Sequence, residues 1–185
     1  MKRGSIFVVA MLCACTAAAQ QAPPPASVDF ATALKNQYRA IRDNIAKSAE
    51  KMTEADYSYK PAGVAPEVRT FGQLLIHLAN ANNGTCARAK GEQPKPNLDE
   101  KTAMTKADIV KALSDAFAVC DSVYDAQTNG TIVEMMKVPG PNSTQLDRSR
   151  GAGLVSNIAH NNEHYGNIVT YMRAKGIVPP SSEGR

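Results

Sequence analysis

Four stretches of this chain repeat their apolar residues with the 3.6-residue period of an α-helix, and none alternates strongly with a period of two. The first, over 28–49, places Phe30, Leu34, Tyr38, Ile41, Ile45 and Ala49 on one face, with Lys35, Arg39, Arg42 and Lys47 left for the wet side. The second opens on Thr70-Phe71-Gly72-Gln73, which fits a capping box with Thr70 as N-cap, and runs to 90, where Gly91, Pro94 and Pro96 stop it. Thr105 with Asp108 opens the third, which carries Ile109, Ala112, Leu113, Ala116, Val119 and Val123 to about 127, ahead of Asn129-Gly130. The last spans 151–175 and is closed by Gly176 and Pro179-Pro180. Four helices of about 20 residues predict an all-α four-helix bundle. The segment 131–150, with Pro139-Gly140-Pro141, is long for a structureless loop, so it is expected to pack over the bundle, with a short strand or turn at 131–138.

Length and composition agree with one domain. The 185 residues are 43% hydrophobic, enough for one sizeable core, and with no Trp that core must be mostly aliphatic, Ala and Met. Lys2 and Arg3 precede a largely apolar run over 6–19, and Ala17 and Ala19 satisfy the small-x-small cleavage rule. Residues 1–19 therefore read as a signal peptide, 20–27 (QQAPPPAS) as an extended spacer, and 28–182 as the bundle. The rival reading is lipidation of Cys15, but Cys at the second position of Leu12-Cys13-Ala14-Cys15 is unusual for a lipoprotein site. The apolar run is too short for a stable membrane span. Cleavage removes Lys2 and Arg3 and no acids, so the formal charge falls from +4 to +2, which argues against a nucleic-acid partner.

An exported chain that keeps two cysteines, Cys86 and Cys120, is a candidate for one disulfide. Cys86 follows the start of its helix by about the same number of residues as Cys120 follows the start of the next. At 1.5 Å per residue the two are level only if those helices run parallel. The linker 91–104 reaches about 45 Å extended, enough to return along a helix of about 30 Å. The expected topology is therefore up-down-down-up, with a long crossover between the second and third helices. Two unrelated buried thiols are the alternative.

The chain has three histidines, His77, His160 and His164. The last two are four residues apart, so they share one helix face about 6 Å apart and can bind one metal ion. Asn157, His160, His164 and Asn167 fall within an arc of roughly 80°, beside an apolar stripe of Leu154, Ile158, Tyr165, Ile168 and Met172. His77 likewise flanks the stripe of Phe71, Leu74, Leu75 and Leu78. Three neutral imidazoles beside buried stripes would each need a hydrogen-bond partner, or would share an ion. Asn157, Asn161, Asn162 and Asn167 either orient the rings or are ordinary surface amides. Glu163 points about 100° away from His164, and no convincing general base is visible.

The blocks MTEADYSYKP and PEVRTFGQLLIHLANAN around the second helix, and HNNEHYGNIVTYMRAKGIVPPSS at the last, resemble the DinB-like family of four-helix bundles. The resemblance runs from about 29 to 182. It implies a metal site made of one His on the second helix and an H-x-x-x-H pair on the fourth, which are His77, His160 and His164 here. It also implies a divalent ion, zinc or nickel, with open coordination positions. Some members of that family are transferases that use cytosolic low-molecular-weight thiols, which does not match an exported chain. The expected function is an exported divalent-metal-dependent hydrolase or transferase acting on an unnamed small molecule. The alternative is a non-catalytic metal-binding or ligand-binding periplasmic bundle, with a homodimer left open.

Overall fold

The computed structural model describes residues 28–139 and 144–184. The expected signal peptide, spacer and Cys15 lie outside the described residues. Four helices, α1 (Phe30–Lys51), α2 (Phe71–Lys90), α3 (Lys106–Asp125) and α4 (Arg150–Ala174), make the bundle, and a two-stranded hairpin, β1 (Met135–Pro139) with β2 (Gln145–Ser149), joins α3 to α4. No helix among the described residues is long and apolar enough to cross a membrane.

Local chemistry sets the helix ends where the sequence signals stand. Thr70 caps α2 through Gln73 N–H, the Gln73 side chain returns to Thr70 N–H at 2.9 Å, and Gly91 takes the left-handed conformation that ends the helix. Thr105 and Ser149 cap α3 and α4 in the same way. One expected core residue is misplaced. Phe30 is 56% exposed, because Asp29 accepts from Thr32 N–H and so makes Phe30 the first helical residue. Ala31 is buried in its stead, with its N–H held by Asn129 Oδ1 at 3.1 Å.

The helices run up-down-down-up. At the start of α2 and α3 a Cβ on Gly72 would stand 3.2 Å from Ile109 Cδ1, and near their ends the Cys86 and Cys120 Cα atoms are 5.0 Å apart, joined as a disulfide. The two helices are therefore parallel. Helix α1 is antiparallel to α3: Arg39 pairs with Asp125 at one end, and Lys106 Nζ donates to Glu50 O at the other. Helix α4 is antiparallel to α2, so that His77 faces His160 while Asn82 faces Asn157 and Asn161.

The crossover 91–104 has little regular structure but a regular set of partners. Asn83 Nδ2 donates to Lys95 O, and Asn80 donates to Leu98 O and accepts from Leu98 N–H, both at 2.9 Å. Glu100 then bonds His77. The segment thus returns along α2, with Lys95, Leu98 and Glu100 meeting successively earlier residues of the helix. Pro94 and Pro96 offer no N–H, and the α2 amides take up the backbone groups that a sheet would otherwise pair.

The second strand of the hairpin carries no alternation a sequence could reveal. β1 turns Met136 and Val138 inward, whereas β2 is mostly exposed and ends on the Ser149 cap. Its register, Met135 with Ser149 through Pro139 with Gln145, comes from the pairing itself. Gly151, the second residue of α4, lies hard against the short turn Thr131–Val133 ahead of β1, since a Cβ there would come 2.8 Å from Ile132 O.

Two apolar clusters fill the bundle. One gathers Ile41, Ile45, Leu75, Leu78, Phe117, Ile168 and Met172. The other gathers Leu34, Tyr38, Cys86, Cys120, Tyr124 and Leu154. The disulfide closes a loop with a sequence separation of 34, and on the chain-entropy model such a closure contributes about 3–4 kcal/mol. The Cys86→Ala, Cys120→Ala variant should therefore unfold at a clearly lower urea concentration with an unchanged fold by circular dichroism. Coincident urea midpoints for the oxidised protein and this variant would contradict that role.

Candidate metal centre

Helices α2 and α4 bring the three histidines together. His77 Nε2 lies 3.2 Å from His160 Nε2, and His164 Nε2 lies 3.1 Å from the same atom. The three ligand atoms all fall within 4.8 Å of one another. All three rings are partly buried, on the side of the α2–α4 interface rather than in its depth. The one-turn spacing of His160 and His164 turns both toward α2, as the helical arc requires.

One acid that sequence reasoning did not find completes the arrangement. Glu100 Oε1 bonds His77 Nδ1 at 2.8 Å, and its other oxygen accepts from Arg69 Nε at 2.5 Å. Burial raises the Glu100 carboxyl, but the hydrogen bonds from Arg69 and His77 outweigh it and hold the group below the usual glutamate range. The ionised carboxylate can only accept, so His77 Nδ1 carries the proton and its Nε2 presents a lone pair to the other two rings. Tyr171 fixes the far side of the arginine by donating to Arg69 O at 2.8 Å.

The remaining sequence candidates separate. Asn167 approaches His164 Nδ1 only at 3.5 Å, the limit of a hydrogen bond, and Asn162 bonds Ile158 O. Asn157 and Asn161 turn away from the imidazoles into the core. Glu163 is exposed, as its helical angle implies.

The donor set fits a divalent ion. Tetrahedral coordination with metal–nitrogen distances of about 2.0–2.1 Å needs nitrogens about 3.3 Å apart, close to the two separations present here. Without a cation, three lone pairs converge and one shared proton can bridge only one pair of rings. His160 Nδ1 is buried with no partner among the described residues, so ligation through Nε2 would leave its N–H without an acceptor. The environment favours the neutral form of His160 and His164, as ligation requires. Burial, reinforced by the neighbouring imidazoles, lowers His160 and pushes His164 down to about 4.

A model of the DinB superfamily matches residues 37–168, and the chain belongs to that superfamily. Among curated proteins nothing matches. Among solved structures, a DinB-like protein from Bacillus cereus is 15% identical with a TM-score of 0.63, covering 80% of this chain and 93% of that one. A DinB-like protein from Bacillus subtilis is 19% identical with a TM-score of 0.59, covering 78% and 92%. A conserved protein from Enterococcus faecalis is 15% identical with a TM-score of 0.57, covering 80% and 97%. At these identities the likeness shows the bundle and nothing of its chemistry.

The lowered histidines make the metal-free protein sensitive to acid. Because the folded values lie below that of an unfolded histidine, near 6.5, the unfolded chain binds more protons between about pH 4 and 6.5. Stability rises with pH across that window and is lost as the pH falls through it. The thermal midpoint of the metal-free protein should drop from pH 7 to pH 5, and the His160→Gln, His164→Gln variant should show a flatter profile. An equally steep profile in the variant would assign the acid sensitivity to other groups.

Proposed function

We propose that His77, His160 and His164 hold one divalent metal ion, zinc or nickel, and that the protein is an exported metal-dependent hydrolase or transferase of small molecules. The observation that carries this reading is the approach of His77 Nε2 and His164 Nε2 to 3.2 and 3.1 Å from His160 Nε2, with His77 oriented by an ionised carboxylate. A divalent ion bound by three neutral histidines and open at a further position can polarise a carbonyl or supply hydroxide near neutral pH. The protein's own part is orientation. Glu100 fixes the His77 tautomer, Arg69 just ahead of α2 holds Glu100 ionised, and the crossover keeps Glu100 beside α2.

Export is supported by Lys2-Arg3, the apolar run after them, Ala17 and Ala19, and by the buried Cys86–Cys120 disulfide, a bond that persists in oxidising compartments. On this reading residues 1–19 are removed and 28–182 form the working domain.

One observation favours a non-catalytic metal-binding bundle as the second reading. The acid nearest the triad, Glu100, has both oxygens engaged, by His77 and by Arg69, and Glu163 faces solvent. Neither is free to take a proton from a substrate.

Protein purified without an affinity tag and reconstituted with zinc should hold about one equivalent, and His160→Ala or His164→Ala should hold none. Less than about a tenth of an equivalent of any transition metal in the reconstituted protein would end the metal reading. A screen of esters, lactones and electrophile–thiol pairs, with metal-free protein as control, then separates an enzyme from a binding module.

A further inference from the structure

Between the two apolar clusters the core is polar. Asn82 of α2 and Asn157 and Asn161 of α4 are all buried, Asn82 and Asn161 completely. Asn82 and Asn161 form a reciprocal amide pair: Asn82 Nδ2 donates to Asn161 Oδ1 at 2.8 Å, and Asn161 Nδ2 donates to Asn82 Oδ1 at 3.0 Å. Asn157 Nδ2 donates to the same Asn82 oxygen at 3.0 Å, while its own oxygen accepts from the Tyr124 hydroxyl of α3 at 3.0 Å. The second N–H of Asn82 goes to Leu78 O at 2.8 Å. Both donors and both lone pairs of the Asn82 amide are thereby used.

We propose that this amide layer sets the register of α2 against α4 and so holds His77 in reach of His160 and His164; Asn82 and Asn161 are positioning residues for the triad. The inference rests on the triad being a metal site.

Directionality separates the amide layer from the apolar contacts around it. Apolar side chains slide past one another at small cost, because the hydrophobic effect depends on area and not on angle. Buried amides do not, since each group left unpaired loses its hydrogen bonds and regains no water. Asn157 and Asn161 are one turn apart, so a slip of α4 by one turn, about 5.4 Å, would leave only one of them opposite Asn82 and break at least one of the three amide bonds between the helices. The same slip would leave only one of His160 and His164 opposite His77, so the three imidazoles could no longer share one ion. Asn82 lies five residues beyond His77, about 7.5 Å along α2, and Asn157 and Asn161 bracket His160, so the layer sits within about one and a half turns of the imidazoles it would align. A single buried amide pair fixes register in this way in helical coiled coils. The disulfide joins α2 to α3 and makes no bond across the α2–α4 seam.

The test uses a volume-matched apolar pair, Asn82→Leu with Asn161→Ala, in the full chain. Leu34→Ala, a core truncation in the distal cluster, serves as a variant of lowered stability that leaves the amides alone. Zinc affinity is measured by competition with a chromophoric chelator, and the site geometry by the visible spectrum of the cobalt(II)-loaded protein. The apolar pair should bind zinc at least tenfold more weakly and show an altered cobalt spectrum, while Leu34→Ala keeps the affinity and spectrum of the wild type. Asn157→Ala, which removes one cross-helix bond and keeps the reciprocal pair, should weaken zinc by a smaller factor and carries the test if the apolar pair does not fold. Unchanged affinity and spectrum in the folded apolar pair, or in Asn157→Ala if that pair is unfolded, would overturn the inference while leaving the metal site in place. A wild-type protein that takes up no metal would overturn both.

Discussion

The parallel pairing of α2 with α3 is the constraint on which the rest of this fold depends. Sequence-adjacent helices in a bundle usually run antiparallel through a short turn. Here the Cys86–Cys120 bond and the close contact at Gly72 hold the two starts level and the two ends level. The chain must then travel back the length of α2 before α3 can begin. That return segment is where Glu100 sits, and the amides of Asn80 and Asn83 deliver it to His77. A connection long enough to satisfy topology thus also supplies the carboxylate that orients a histidine.

The same geometry explains why the three imidazoles are partly buried and not sealed. They lie at the seam between α2 and α4, deep enough for burial to disfavour protonation of His160 and His164, shallow enough for solvent to reach. The polar layer of Asn82, Asn157 and Asn161 lies further in, between the apolar clusters, and its full hydrogen bonding removes the penalty of placing amides there. Arg69 and Glu100 form the outer support, and Tyr171 ties that support back to α4.

Much of this was legible in the sequence where the cause is local. Thr70 with Gln73, Gly91, and Thr105 with Asp108 mark helix ends because capping depends on residues within one turn. The His160–His164 pair is legible because i, i+4 spacing fixes a shared face, and the level positions of Cys86 and Cys120 gave the parallel topology. Glu100 was not legible: it stands 23 residues beyond His77 in a segment without periodicity, and its approach depends on the long-range pairing of Leu98 with Asn80. The length of the linker and its two prolines were the only signals, and they pointed to the path without saying which residue would meet the histidine. Strand β2 escaped because Gln145–Ser149 has little inward face, so its form comes from β1 and not from its own pattern. Asn161 read only as an amide that orients a ring or faces solvent, because its pairing with Asn82 is a match between two helices that neither helix announces alone.

The central claim is that three imidazoles from two helices hold one ion. X-ray absorption of the zinc-loaded protein tests it most directly, because imidazole ligands leave a characteristic outer-shell scattering pattern. The account calls for three imidazole nitrogens at about 2.0–2.1 Å with light-atom donors filling the open positions, and for loss of one imidazole contribution in His77→Ala. A spectrum dominated by oxygen donors, or one unchanged by His77→Ala, would contradict it.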